Sequence, residues 1–296
     1  MRMKPFRYVA PEKVEDALKA ISKGGRGARI LAGGTDLVVQ MKQGMAQPEC
    51  LIDLRMIPEL HGIREHENGL SIGSMTRLWE VEHSPIICQK WPLLAKAASE
   101  MGAPAIRHVA TIGGNLCNAS PAADSSPPLL VIEAKLLLKG AERERMVSIS
   151  DFFEGPAQTV LRQDEILHSI FLPPLPDKCR TCYLRLGRKR KGDLALVGVA
   201  LVLVLDPDLR VRSIRIGLGG VAPTPIRAEK TEEWATGKVL QPSLIEKTAR
   251  EASEESKPIS DIRGSSTYKK DLIVALVSKG LKLLTSGEEA FGEKVR

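Results

Sequence analysis

Two short segments of this chain place paired glycines behind an apolar run. Ala28 to Ala32 leads into Gly33-Gly34-Thr35-Asp36, and Thr111-Ile112-Gly113-Gly114-Asn115 forms the second. Glycine at a strand end lets main-chain N–H groups approach an anion closely, because no Cβ stands in the way and positive φ is open. Two such turns in one domain can grip a pyrophosphate between their amides. Taken alone, Gly33-Gly34 is also the pattern of an ordinary turn, and the Asn115 amide serves equally to bond a phosphate or to fix its own turn. Neither segment is a familiar nucleotide motif: there is no G-x-x-x-x-G-K-[ST], and no G-x-G-x-x-G opens a helix after a strand.

Other chemistry is sparse. Five cysteines stand at 50, 88, 117, 179 and 182, and the one close pair is Cys179-Arg-Thr-Cys182. A structural metal or iron–sulfur cluster normally needs four ligands, so no metal is expected here. Cys117 stands two residues beyond the second glycine segment, where a small buried residue serves as well as a reactive one. The histidines at 61, 66, 83, 108 and 168 have no metal-ligand spacing and no nucleophile beside them. His108, just ahead of the second segment, is the one that could touch a ligand. No residue stands out as acid, base or nucleophile for substrate turnover.

The elements that must position these segments belong to an ordinary globular chain. Its 296 residues are 43% hydrophobic and 27% charged, enough for a substantial core and two or three subdomains. The net charge of +7 is spread along the sequence; only Arg188 to Lys191 form a run, and aromatics make up 4%. Nucleic-acid binding is therefore not expected. The longest apolar stretch, Leu194 to Leu205, has 12 residues, far short of the roughly 20 that span a bilayer, and reads as a buried strand. Met1 to Ala10 lacks the apolar run of a signal peptide, and the odd cysteine count fits a reducing compartment, so the cytoplasm is expected.

Along the chain, Val14, Ala17, Leu18 and Ile21 fall on one helical face that Gly24-Gly25 terminates. Strands are expected at Ala28 to Ala32, Leu51 to Leu54 and Leu70 to Ile72, with helices at about Thr76 to Glu82 and Pro92 to Met101. The second glycine turn is followed by a proline-rich stretch, expected to be loop as far as Pro128. Strand patterns recur at Lys135 to Leu138, Met146 to Ile149 and Ile166 to Leu172, before Pro173-Pro174-Leu175-Pro176 marks a domain boundary. Beyond it lie strands at Leu194 to Leu205 and Val211 to Leu218, then helices near Ser243 to Ser253 and Tyr268 to Leu284. Strand runs followed by helices indicate α+β rather than alternating βαβ units.

In order and context these segments resemble one family. Ile30-Leu-Ala-Gly-Gly-Thr-Asp-Leu37 is similar to the first FAD loop of the xanthine dehydrogenase and carbon monoxide dehydrogenase flavoproteins. The stretch Ala110-Thr-Ile-Gly-Gly-Asn-Leu-Cys-Asn-Ala-Ser-Pro-Ala-Ala-Asp-Ser-Ser-Pro-Pro-Leu-Leu130 resembles their second FAD signature over its full length. Tyr183 to Val197, Gly217 to Arg227 and Asp261 to Tyr268 resemble their C-terminal domain, so the likeness covers nearly the whole chain.

The resemblance implies an FAD-binding domain of the vanillyl-alcohol oxidase (PCMH) type over 1–174, with subdomains of about 1–56 and 57–174. A CO dehydrogenase flavoprotein C-terminal-like α+β domain would follow over 175–296. Carried over, Leu31, Ala32, Gly33, Gly34, Thr35, Asp36 and Leu37, with Thr111, Ile112, Gly113, Gly114 and Asn115, would line the pyrophosphate and ribityl chain of a non-covalent FAD. Asp124 would accept bonds from sugar hydroxyls, and Met101, Leu167 and Arg185 would touch the adenine or isoalloxazine. Arg185 stands where many relatives carry lysine, which keeps the charge and alters the donor geometry; a solvated arginine on an edge strand is its plain alternative. Tyr183 could shield the ring or simply pack.

The implied function is electron transfer: FAD takes electrons from an iron–sulfur centre and releases them to NAD, a quinone or another external acceptor. Molybdopterin and [2Fe-2S] clusters would lie on a large and a small partner subunit, in a dimer of heterotrimers. An extra four-iron cluster, carried by some relatives on an inserted loop, is not expected because neither the loop nor its cysteines are present. Two rival readings are a stand-alone FAD-dependent oxidoreductase and a binding module that has lost its cofactor.

Overall fold

The computed structural model describes residues 3–188 and 192–286, so the basic run at Arg188 to Lys191 lies, beyond Arg188 itself, outside the described residues.

A small parallel sheet comes first. Strand β1 (Arg7–Val9), helix α1 (Val14–Gly24), β2 (Ala28–Leu31), α2 (Leu37–Gln43) and β3 (Cys50–Asp53) follow one another, with sheet order β1-β3-β2. The helical spacing read from the sequence is the face that α1 buries: Val14, Ala17, Leu18 and Ile21 join Ile52, Leu54 and Ile57 in one core cluster. Each such side chain contributes about 1.5–3 kcal/mol on leaving water. Gly25 ends the helix at φ 52, its N–H on the Ile21 carbonyl.

Strands β4 (Ile63–His66) and β5 (Gly69–Gly73) form a hairpin. Short helices follow: α3 (Leu78–His83), α4 (Pro85–Lys90), α5 (Pro92–Glu100), α6 (Pro104–Arg107), α7 (Ile112–Cys117) and α8 (Ser126–Ile132). Proline opens α4, α5, α6 and α8, at positions where its missing N–H breaks no intrahelical bond. That is why the stretch expected to be loop as far as Pro128 is helical from Ser126: Pro127-Pro128 form a first turn, and every residue of α8 is buried. The second glycine segment is likewise the start of a helix, with Thr111 as the N-cap of α7. Strands β6 (Lys135–Lys139), β7 (Glu144–Ser148), β8 (Phe153–Gly155), β9 (Gln158–Thr159) and β10 (Ile166–Leu172) come next. Five strands make an antiparallel sheet in the order β4-β5-β10-β6-β7, and β8 pairs with β9 alone.

The C-terminal sheet is antiparallel, β11 (Arg180–Gly187), β12 (Ala195–Leu205), β13 (Val211–Gly219) and β14 (Ile226–Arg227) in sequence order, followed by α9 (Glu229–Ala235), α10 (Pro242–Glu254) and α11 (Ser266–Ser286). The apolar run read as a buried strand is β12, starting one residue later than expected, with Leu194 exposed. Its apolar character is continuous because both faces are covered. Val197, Val199, Leu201 and Leu203 share a cluster with Ile273, Val277 and Leu281 of α11, whereas α8 packs on β12 and β13 from the opposite side. Glycines permit that second contact: a Cβ on Gly217 would lie 2.5 Å from the Pro127 carbonyl oxygen, and one on Gly219 2.7 Å from Pro127 Cγ.

Two compact units result. The first takes the described residues up to Val81, with Ala103–Ala119 and Ala134–Pro173; the second takes Glu82–Gly102, Ser120–Glu133 and the described residues from Pro174 onward. The first sheet alternates strand and helix with parallel pairing, where strand runs followed by helices were expected; the five- and four-stranded sheets are antiparallel, and the chain as a whole is α+β, as expected. Among the described residues no helix is long and apolar enough to cross a membrane.

Candidate functional site

In the first unit, β2 ends at Leu31 and the chain turns through Ala32-Gly33-Gly34-Thr35-Asp36 into α2. Gly34 adopts φ +72, and a Cβ on Gly33 would stand 2.1 Å from the Val109 carbonyl oxygen, so glycine is required at both positions. Val38 N–H donates to the Gly34 carbonyl at 3.1 Å, which starts the helix. Ahead of it, the main-chain N–H groups of Gly33, Gly34, Thr35, Asp36 and Leu37 reach no acceptor among the described residues, and the Asp36 side chain does not cap them. A row of unspent donors at a helix start favours an anion.

The second segment is built differently. Ile112 N–H donates to Thr76 O (3.0 Å), Gly113 N–H to Ser74 O (2.8 Å) and Asn115 N–H to Thr111 O (3.0 Å), while Thr111 Oγ1 accepts from Gly114 N–H at 3.0 Å. Its amides are therefore spent inside the protein, so, where both turns were expected to have amides free for an anion, only the first has them among the described residues. The glycines of the second serve packing, since a Cβ on Gly113 would meet Ser74 O at 2.5 Å.

Both segments line one cleft of about 390 Å³, together with Leu54, Ser74, Leu161 and Ile166. Of the residues singled out in the sequence, Ala32, Gly33, Gly34, Thr35, Asp36, Leu37, Thr111, Gly113, Gly114, Asn115 and Leu167 face it, as does Cys117. Leu31 and Ile112 lie buried beneath, Leu31 in a cluster with Met41 and Leu51. Leu167 sits where β10 slips register against β6. Sequence reasoning missed Ser74, which is buried and whose hydroxyl has no hydrogen-bond partner among the described residues. Such an orphan costs about 1–3 kcal/mol. Unspent amides and an unsatisfied hydroxyl around one cleft are the donor set that a diphosphate-bearing cofactor fits. His108 does not line the cleft; its ring stacks on Trp79 at 5.1 Å.

Met101, Asp124 and Arg185 belong to the second unit. Met101 caps α5 and is buried. Asp124 and Arg185 form a buried cluster with Tyr183, positioned by the glycines of β13 and its turn. Gly220, at φ +78, gives its N–H to the Pro121 carbonyl at 2.7 Å, and Gly217 and Gly219 admit Pro127. The Tyr183 hydroxyl donates to Asp124 Oδ1 at 2.6 Å, and Arg185 Nε lies 3.2 Å from the same oxygen as an ion pair whose N–H is not aimed for a hydrogen bond. Arg185 Nη1 donates to the Glu100 carbonyl at 2.6 Å, and Nη2 to that of Asp193. With 7% side-chain exposure, Arg185 is not a solvated edge arginine. Burial pushes the Asp124 carboxyl up to about 6 against the opposing pull of Arg185 and Tyr183, and burial with the nearby carboxylate raises the Tyr183 phenol well above its usual value.

Cys179 and Cys182 are free thiols, Cys182 pushed up to about 12 by burial, and no cluster of potential metal ligands occurs among the described residues. A wider groove of about 790 Å³ between α10 and α11 carries neither glycine segment.

Residues 4–175 match the model of the FAD binding domain in molybdopterin dehydrogenase, and residues 182–284 that of the CO dehydrogenase flavoprotein C-terminal domain. The chain belongs to this flavoprotein family. The glyceraldehyde dehydrogenase medium chain of Sulfolobus acidocaldarius is 35% identical over 277 residues, 94% of this flavoprotein and 97% of that chain. The carbon monoxide dehydrogenase medium chain of Hydrogenophaga pseudoflava is 36% identical over 276 residues, covering 93% and 96%. Among solved structures, carbon monoxide dehydrogenase from Hydrogenophaga pseudoflava superposes with TM-score 0.93 at 35% identity over 97% of this chain and 99% of that one. Quinoline 2-oxidoreductase from Pseudomonas putida 86 does so at 0.91 and 29%, with the same coverage. The flavoprotein is thus an FAD-binding oxidoreductase subunit, the medium chain of a molybdenum hydroxylase.

Proposed function

We propose that this flavoprotein subunit relays electrons from a [2Fe-2S] partner subunit to an external acceptor such as NAD or a quinone. The observation that carries the reading is the run of unspent amides from Gly33 to Leu37, facing the same cleft as Thr111 to Asn115. These amides bind the diphosphate, the Ser74 hydroxyl offers a further donor, and Leu161 and Leu167 supply apolar wall. Met101, Asp124 and Arg185, with Leu31 and Ile112, are proposed as further cofactor-binding residues on the family resemblance. FAD, when bound, supplies the ability to accept electrons singly and release them in pairs. The chain's own residues bind and orient it, and none is assigned as acid or base.

The proposed assembly is a dimer of heterotrimers, each with a large molybdopterin subunit and a small [2Fe-2S] subunit, in the cytoplasm. The domain division proposed is 1–174 and 175–296, the first with subdomains of about 1–56 and 57–174. Isolation of the native complex through this chain tests the reading. Expected are two co-purifying chains, one FAD per copy of this one, and flavin bleaching by substrate only in the complex. Substrate oxidation by the FAD-loaded chain alone would instead support a stand-alone oxidoreductase.

A further inference from the structure

A second cavity, of about 420 Å³, adjoins the cleft: Arg29, Ile30 and Leu161 line both. Its remaining wall comes from Ile21 of α1, Gly25 and Arg26 of the 3₁₀ turn, Ala28, and Arg162, Gln163 and Glu165. Three arginines, Arg26, Arg29 and Arg162, line it beside Gln163, and all three are exposed. The one carboxylate in the wall, Glu165, is turned inward with 1% side-chain exposure. Its two oxygens accept from Arg145 at 3.0 and 2.8 Å and from the Arg162 main-chain N–H at 3.0 Å, which leaves it little charge to offer the cavity.

The arginines are less committed. Arg162 reaches Glu165 only at 4.0 Å, and Arg29 bonds two main-chain carbonyls, of Arg26 and Ala28, which leave its charge unneutralised. The Arg26 side chain has no acidic partner among the described residues. Three arginines line a volume within the roughly 300–1,000 Å³ of small-ligand sites, and a guanidinium fork matches phosphate oxygens two at a time.

We infer that this bay is a second anion site, taking the phosphate group of a small phosphorylated ligand beside the FAD. Ile30 and Leu161 give such a ligand an apolar surface as well as charge, so a nucleoside phosphate is held more tightly than free phosphate. The inference rests on the cofactor reading of the cleft, because the shared wall makes the two sites neighbours.

The test uses the full chain loaded with FAD, titrated by calorimetry with ADP and separately with inorganic phosphate, beside Arg26→Glu and Arg162→Glu. ADP is expected to bind in one equivalent without releasing flavin, and each charge reversal to weaken it by about tenfold or more while flavin absorbance stays unchanged. Phosphate binding as tightly as ADP identifies free phosphate as the ligand; weaker phosphate identifies the nucleoside phosphate. No binding of either probe to a chain that keeps its FAD overturns the second site and leaves the cofactor reading intact. ADP that displaces flavin, or charge reversals that shed it, assigns the bay to the cofactor and overturns the inference as well. An unaltered chain that takes up no FAD strikes at the cofactor reading itself.

Discussion

Gly33 and Val109 approach more closely than any side chain allows: a Cβ on Gly33 would lie 2.1 Å from the Val109 carbonyl oxygen and 2.8 Å from Ala110 Cα. Both neighbours are backbone, so no rotamer change relieves the clash. The pair holds the first glycine loop against the short segment between α6 and Thr111. Spacing between the unspent amides and α7 is therefore fixed by a contact, not by the cofactor.

Gly33→Ala is accordingly expected to force the two loops apart. Overpacking of this kind costs about 1–3 kcal/mol, and FAD retention should fall with it. Urea denaturation and the flavin absorbance of the purified chain check both effects; a variant with unaltered midpoint and full flavin would refute the account.

Thr111 tests a different link, the cap of α7. Its hydroxyl accepts the Gly114 N–H at 3.0 Å and also faces the cleft. Thr111→Ala should cost about 1 kcal/mol through the lost cap, and Thr111→Ser should restore it. Gly114→Val crowds the same hydroxyl, since a Cβ there lies 2.8 Å from Thr111 Oγ1; it should lose FAD at equilibrium dialysis where the serine variant does not.

Buried charge in the second unit gives a pH-dependent prediction. Asp124 is pushed up to about 6 from an ordinary 3.8, chiefly by burial. A carboxyl that holds its proton more tightly when folded contributes stability that is complete below about pH 4 and disappears as the pH rises through about 6. Against Asp124→Asn, whose side chain does not titrate, the natural chain should lose on the order of 3 kcal/mol between pH 4 and 7. Denaturant midpoints for both proteins across that range decide it, and parallel curves would remove the carboxylate from the argument. Tyr183→Phe deletes the 2.6 Å donor to Asp124 and should cost about 1–3 kcal/mol.

What could be read in the sequence was local. The face of α1 and its glycine stop show in eleven consecutive residues, and β12 shows as an unbroken apolar run. Helices α7 and α8 did not, because glycine or proline in a first turn reads like loop although it costs a helix little there. The donor set of the cleft was half legible: the glycine pairs are visible, but which amides are spent depends on Ser74 and Thr76, distant in sequence and brought beneath α7 by β5 and its turn. For Arg185 the sequence leaves a cofactor contact and a solvated edge position both open, because nothing near it in sequence reports the carbonyl of Glu100 or the carboxylate of Asp124 that it meets in the fold.

Gly217 links packing to that buried cluster. A Cβ at this position would stand 2.5 Å from the Pro127 carbonyl oxygen and 3.0 Å from Val131 Cγ1, so Gly217→Ala must push α8 away from β13. Asp124 lies three residues before Pro127, and its contacts with Tyr183 and Arg185 depend on α8 staying in place. The substitution should therefore destabilise by about 1–3 kcal/mol and also flatten the pH dependence assigned to Asp124, because a carboxyl let back into water returns toward its ordinary titration. Combining it with Asp124→Asn should give less than the sum of the two losses at pH 7, as contacting sites do. Strict additivity in that double-mutant cycle would show that α8 holds its place on the sheet without holding Asp124.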